Sequence, residues 1–281
     1  MVELLVVVAV IAILAGILLP TLERSRVRAQ SIFCLNNTKQ LTLAWIMYAD
    51  EHNGELAYNL GSSGMGMSWG GGKPPPPMRL NWVNNVLDWT KENSDNTNAP
   101  KMVDSGLGPY VSKTATVYRC PSDHSLSSDQ RGVGWSARVR SYSMNAMIGN
   151  AGGFSQSGWN VNNPDYIQFF RLTSIPQPAD IFVFLDEHPD SIDDGYFVNK
   201  AYNYEWTDLP ASYHDGGACF SFVDGHSETH RWRAATTIAP PLPGAARLPK
   251  KVSTPPELAD FYWVISRMSV EQNLGDTTSA D

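Results

Sequence analysis

Three cysteines are too few, and odd in number, for a chain stapled by a disulfide framework. There is no paired CxxC and no HExxH, so the short signatures of zinc ribbons and zincin metalloproteases are absent. Cationic side chains are also scarce, 21 Lys and Arg against 28 Asp and Glu for a net charge of −7. Nucleic-acid binding, which calls for a basic face, is therefore not expected. Charged residues make up only 17% of the 281 residues and hydrophobic ones 42%, a balance that excludes a disordered chain and suits one sizeable core with or without a tail. No internal repeat is visible. With 19 prolines, 22 glycines and nine tryptophans, the folded part should be loop-rich and packed through aromatics.

What the chain does have is concentrated at one end. From Leu4 to Leu19 it reads LLVVVAVIAILAGILL, without a charged or strongly polar side chain, and beyond Arg24 it reads as water-soluble. As an α-helix this run is about 24 Å long, short of the roughly 30 Å hydrocarbon core of a bilayer. A signal peptide would show a basic region before the run and a small-residue cleavage site after it; instead the run flows into Pro20 and a polar helix. A plain membrane anchor and a helix that moves from membrane to filament core remain. Glu3, at the front of the run, suits a helix N-terminus at an interface, or a positive partner in a neighbouring subunit. Pro20 should interrupt the helix by removing one backbone hydrogen bond. Beyond it Leu22, Ala29, Phe33, Leu41, Ala44, Trp45 and Tyr48 recur at helical spacing, with Glu23, Arg24, Arg26, Arg28, Lys39 and Gln40 over much of the other face. The positive-inside rule would hold Arg24, Arg26 and Arg28 in the cytoplasm. A head on the far side of the membrane would then call either for basic residues preceding Met1 or for a dedicated leader that overrides the bias.

The stretch VELLVVVAVIAILAGILLPTLERSRVRAQSIFCLNNTKQLTLAWIMYADEHNG resembles the N-terminal region of prepilin-type cleavage/methylation proteins. Glu3 matches that family's glutamate and Pro20 its helix-weakening proline, while the leader, cleavage glycine and methylated phenylalanine are not in this sequence. The spacing from His214 to Asp224-Gly225 resembles the H-x9-DG signature of a prepilin-associated head domain. Further similar pieces follow in order: CLNN at 34–37, RCPSD at 119–123, RSYSMNA at 140–146 and DEHPDSIDDG at 186–195. The resemblance implies an α+β pilin-like fold, a long N-terminal helix packed on an antiparallel sheet with long loops. Residues 1–53 would be the helix, 1–20 its apolar assembly half and 21–53 its amphipathic half, and residues 54–281 the head. It implies a structural, non-enzymatic homopolymer, held in the inner membrane until pilus or type II secretion machinery assembles it into an extracellular filament. Glu3, Leu4, Leu14, Leu18 and Pro20 would serve assembly. A minor pseudopilin and a membrane-anchored glycan-binding module, the latter suggested by Trp69, Trp82, Trp89 and Trp159, are the competing readings.

Within the head, Val117–Cys120, Val139–Met144, Ile181–Leu185, Ala218–Val223 and Ser227–Trp232 read as strands, the last two joined in a hairpin at Asp224-Gly225-His226. Residues 236–256 form a proline-rich surface arm, and Glu257–Met268 reads as a short helix. In an oxidising compartment Cys34–Cys120 is the expected disulfide, with Cys219 a buried thiol; three reduced thiols is the alternative. The acidic segment offers Asp186, Asp190, Asp193 and Asp194 as calcium ligands, against the plainer reading of a solvated loop. His214, Asp215, Asp224, His226 and His230 match no catalytic motif, and His214 is expected to fix the hairpin by bonding backbone or Asp224.

Overall fold

The computed structural model describes residues 2–61, 80–155 and 158–272. Helix α1 (Val2–Glu51) is about 75 Å long. Its assignment is unbroken through Pro20, where an interruption was expected; the side chains of Glu3 and Pro20 lie outside the described residues. It stops where the sequence places its end: Asn53 and Gly54 have φ of 56° and 81°, and Gly54 N–H donates to Ala49 O at 2.7 Å.

The head is built on one five-stranded sheet in the order β5-β1-β4-β7-β8. These strands are β1 (Tyr142–Asn145), β4 (Phe182–Asp186), β5 (Tyr196–Phe197), β7 (Gly217–Phe222) and β8 (Ser227–Arg231). All neighbours are antiparallel except β1 and β5. Two small ribbons flank it: β2 (Trp159–Asn160) with β3 (Asn163–Ile167), and β6 (Glu205–Trp206) with β9 (Lys250–Lys251). Two short helices, α2 (Ala99–Val103) and α3 (Ser128–Gly132), lie in the loops, and α4 (Pro255–Ile265) is the last helix among the described residues. The arrangement is mixed α and β with a mainly antiparallel sheet, as expected. The β7–β8 hairpin falls where the alternation put it. The Val117–Cys120 strand does not form; Ala115–Tyr118 is a 3₁₀ turn.

The sheet is apolar on both faces and covered on both. Cys219 faces α1 while Phe220 and Phe222 face α4, as strand alternation requires. In β4 a bulge between Phe182 and Phe184 resets the alternation, so that Val183 and Phe184 both join the core under α1 while Phe182 and Leu185 face the other way. From α1, Cys34, Thr38, Leu41, Thr42, Ala44, Trp45, Tyr48 and Ala49 are buried, and Thr42 Oγ1 donates to Ser221 Oγ at 2.7 Å. This stripe is narrower than the sequence reading: Leu22 and Phe33 are 62% and 63% exposed. On the opposite face α4 starts with a capping box between Thr254 and Glu257, and its Asp260 accepts from the backbone N–H groups of Arg233 and Ala234.

The proline-rich arm is docked rather than free. Leu242 N–H donates to Asp190 Oδ2, Lys250 Nζ to Thr236 O, and β9 pairs with β6. Much of the irregular chain is tied by buried amides. Asn145, at the end of β1, donates to Phe182 O (2.9 Å) and Met268 O (2.8 Å) and accepts from Met147 N–H. Replacing it by alanine leaves two buried carbonyls and one N–H unpaired, so Asn145→Ala should destabilise the head by about 3 kcal/mol, read from the urea midpoint at unchanged slope.

Candidate functional site

Four of the sequence pieces that stand far apart in the chain converge under α1. Cys34 is the first buried residue among the described part of the helix; Cys120 follows the 3₁₀ turn; Asp186 ends β4; His214 and Cys219 bracket the start of β7. His214 sits in a tight turn in which its N–H donates to Gly217 O and Gly217 N–H returns to His214 O. Asp215 and Gly216 there have φ of 55° and 77°, and a Cβ on Gly217 would lie 2.3 Å from His230 O, so the turn and the hairpin contact favour glycine at both positions.

Cys34 Sγ lies 3.1 Å from both carboxylate oxygens of Asp186 and accepts from Tyr142 Oη at 3.2 Å. His214 Nε2 is 3.2 Å from Asp186 Oδ2 and 3.4 Å from Cys120 Sγ, and Cys219 N–H donates to Asp186 Oδ2 at 2.8 Å. The ligand atoms of Cys34, Asp186, His214 and Cys219 all lie within 4.8 Å of one another, and all four residues are buried. Burial alone would lower the His214 pKa, but its bonds to Asp186 and the neighbouring thiols raise it well above the usual imidazole value. Burial first, then the thiols and the Asp186 charge, pushes the Cys34 thiol up. At Cys219 burial and Asp186 act upward, and hydrogen bonds from Cys34 and His214 outweigh them, so that thiol is lowered.

Three expectations change. All three cysteines are free thiols, so the Cys34–Cys120 disulfide is not formed, although the helix does bring Cys34 beside Cys120. The four aspartates proposed for calcium do not converge: only Asp186 enters a potential metal group among the described residues. Asp190 is engaged by Leu242 N–H, and Asp194 Oδ1 by Tyr196 N–H. His214 bonds Asp186 rather than Asp224. Asp224 instead shapes the far end of β7, accepting from His226 N–H at 3.0 Å with His226 Nδ1 at 2.6 Å, beside Gly225 at φ 89°. The nine intervening residues are thus the length of strand β7 with its two turns. His226 stacks on Phe222 and His230 on Trp263.

Of the tryptophans considered for glycan binding, Trp82 is fully buried, Trp89 lies half-buried under the Arg138 guanidinium at 4.2 Å, and Trp159 is half-buried; Trp69 lies outside the described residues. Residues 66–70, GMSWG, have the spacing of a nucleophile elbow, but they stand in a Gly/Pro-rich stretch lacking the strand-to-helix pattern that motif needs and lie outside the described residues. No family model, curated protein or solved structure matches the chain.

Next to Asp186, Glu187 is 1% exposed and its Oε2 has no hydrogen-bond partner. Burial raises its pKa from 4.5 to about 8, against the hydrogen bonds of Ser143 and Ser191 and the charge of Arg140. The folded head therefore keeps this proton after the unfolded chain has lost it. The stabilisation is complete below the ordinary carboxyl pKa and is lost as pH rises to about 8. Glu187→Gln should flatten this fall in stability, checked by denaturant midpoints at about pH 5 and about pH 8.

Proposed function

We propose that this chain is a filament subunit of the type IV pilin kind, polymerising through the N-terminal half of α1 while the head forms the outer surface. One observation carries the reading. Every described side chain from Leu4 to Leu22 is exposed, including Leu4 at 70%, Ile11 at 60%, Leu14 at 54%, Leu18 at 56% and Leu19 at 63%. The exposed apolar residues run all round the helix rather than along one stripe, and such a helix needs cover on every side. Among the described residues no helix is long and apolar enough to cross a membrane. A bundle of like helices supplies the cover, at about 1.5–3 kcal/mol for each large aliphatic side chain removed from water.

In this reading Glu3 pairs with a neighbouring subunit's N-terminal amine, which offsets the cost of burying its charge. The subunit is held in the inner membrane until pilus or type II secretion machinery extracts it, and the filament is extracellular. Outward-facing Ile32 and Phe33, at 66% and 63% exposure, extend the apolar surface to the level of the head. The head's role is to pack and be displayed; no catalytic step is assigned to it.

The test is negative-stain microscopy and sedimentation of the full chain after detergent removal. Wild type should form filaments, and Leu14→Glu or Leu18→Glu should abolish them, leaving the thermal unfolding of the head unchanged. Wild-type protein that stays dispersed, or the charged variants forming the same filaments, would overturn the reading. A minor pseudopilin would require a second subunit before any polymer appeared.

A further inference from the structure

We infer that Cys34, Asp186, His214 and Cys219 form a tetrahedral site for a zinc-type divalent cation that clamps α1 to the sheet. The donor set is two sulfurs, one imidazole nitrogen and one carboxylate oxygen, all within 4.8 Å of one another and buried. Zinc takes all three donor types, with bonds of about 2.0–2.3 Å, so the edges of its tetrahedron measure roughly 3.3–3.8 Å. The contacts already present are close to those edges: 3.1 Å from Cys34 Sγ to Asp186 and 3.2 Å from His214 Nε2 to Asp186 Oδ2. Calcium, which asks for six to eight oxygens, does not suit this set.

The charge arrangement points the same way. Asp186 is 0% exposed, and among the described residues its one cationic side-chain partner is His214. A divalent cation would offset most of the negative charge that the Asp186 carboxylate and the thiolates of Cys34 and Cys219 bring together. Binding releases one proton from each of those thiols and one from the His214 imidazolium that pairs with Asp186, so each ligand reaches the metal with a free electron pair. The ion has a route in: a cavity of about 650 Å³ lined by Val27, Arg28, Ser31, Thr229 and Arg231 has His214 in its wall. Cys120, 3.4 Å from His214 Nε2, borders the site as a further soft donor. The ligands come from the helix, from the end of β4, and from the turn before β7 and β7 itself, so one ion would add metal–ligand bonds to the packing and the few side-chain hydrogen bonds that hold α1 on the sheet. The site stands whether or not the helix polymerises.

The full chain, purified in detergent under reducing conditions and stripped with chelator, is titrated with Co²⁺ and then Zn²⁺. One equivalent of Co²⁺ should bind with the visible bands of tetrahedral cobalt and thiolate charge transfer in the near ultraviolet. Zn²⁺ should displace it and raise the midpoint of thermal unfolding, and chelator should reverse the rise. Cys219→Ser, close in volume, should weaken binding at least about tenfold. His226→Gln, which removes an exposed histidine outside the cluster, should leave it unchanged. No stoichiometric binding by wild type, an octahedral cobalt spectrum, equal affinity in Cys219→Ser, or a Cys34–Cys120 disulfide in protein isolated without reductant would each overturn the inference.

Discussion

A five-stranded sheet with two apolar faces cannot stand in water until both are covered, and the rest of this structure follows from how that is done. One cover is α4, short and capped at its start by Thr254 and Glu257. The other is the second half of α1, through Cys34, Leu41, Trp45 and Ala49 against β4, β7 and β8. Because α1 engages the head only from about Gln30 and Ser31 onward, its preceding turns leave the head with nothing of their own to pack against. The exposed apolar half is therefore a consequence of the same helix being the lid of the core.

The second constraint is the backbone. Few of the head's residues lie in regular elements, so carbonyls and amides that a sheet would pair must find side chains. Buried asparagines supply them: Asn59 donates to Met144 O and Asn145 O, Asn163 to Asn199 O, and Asn199 in turn to Asp208 O while accepting from Thr207 N–H. Arg140, fully buried, donates to Tyr142 O and Asp194 O and so ties β1 to the acidic segment. That explains why the acidic run is not a solvated loop: its backbone is a hydrogen-bond acceptor for the interior.

The elements with strong periodicity were legible from sequence. The helix and its end at Asn53-Gly54 were readable, as was the β7–β8 hairpin, because three- and four-residue spacing, strand alternation and a Gly turn are local signals. What failed was set by tertiary contact. Leu22 and Phe33 match the helical spacing but lie where no sheet reaches them, and Val117–Cys120 has strand composition without a neighbouring strand to pair with. The site was half visible. Each of its residues lay in a piece singled out for resemblance, but no spacing rule connects a helix at 34, a loop at 120, a strand end at 186 and a turn at 214–219. Cysteine arithmetic pointed toward a pair, and only the β4 bulge and the turn before β7 reveal that the thiols share a pocket with a carboxylate and an imidazole.

The placement of that pocket bears on how force or order passes along the molecule. Cys34 stands at the boundary between the part of α1 held by the sheet and the part that projects. Load on the projecting half reaches this residue and its contacts with Asp186 and Tyr142 together with the Gln30–Ser122 and Ser31–Thr229 contacts just before it. Aliphatic packing resists sliding weakly because it is non-directional, whereas a directional knot fixes the helix in rotation and register. A polar cluster buried where the helix leaves the head is therefore better explained by the need to lock that junction than by core stability, for which apolar side chains of similar volume would serve as well.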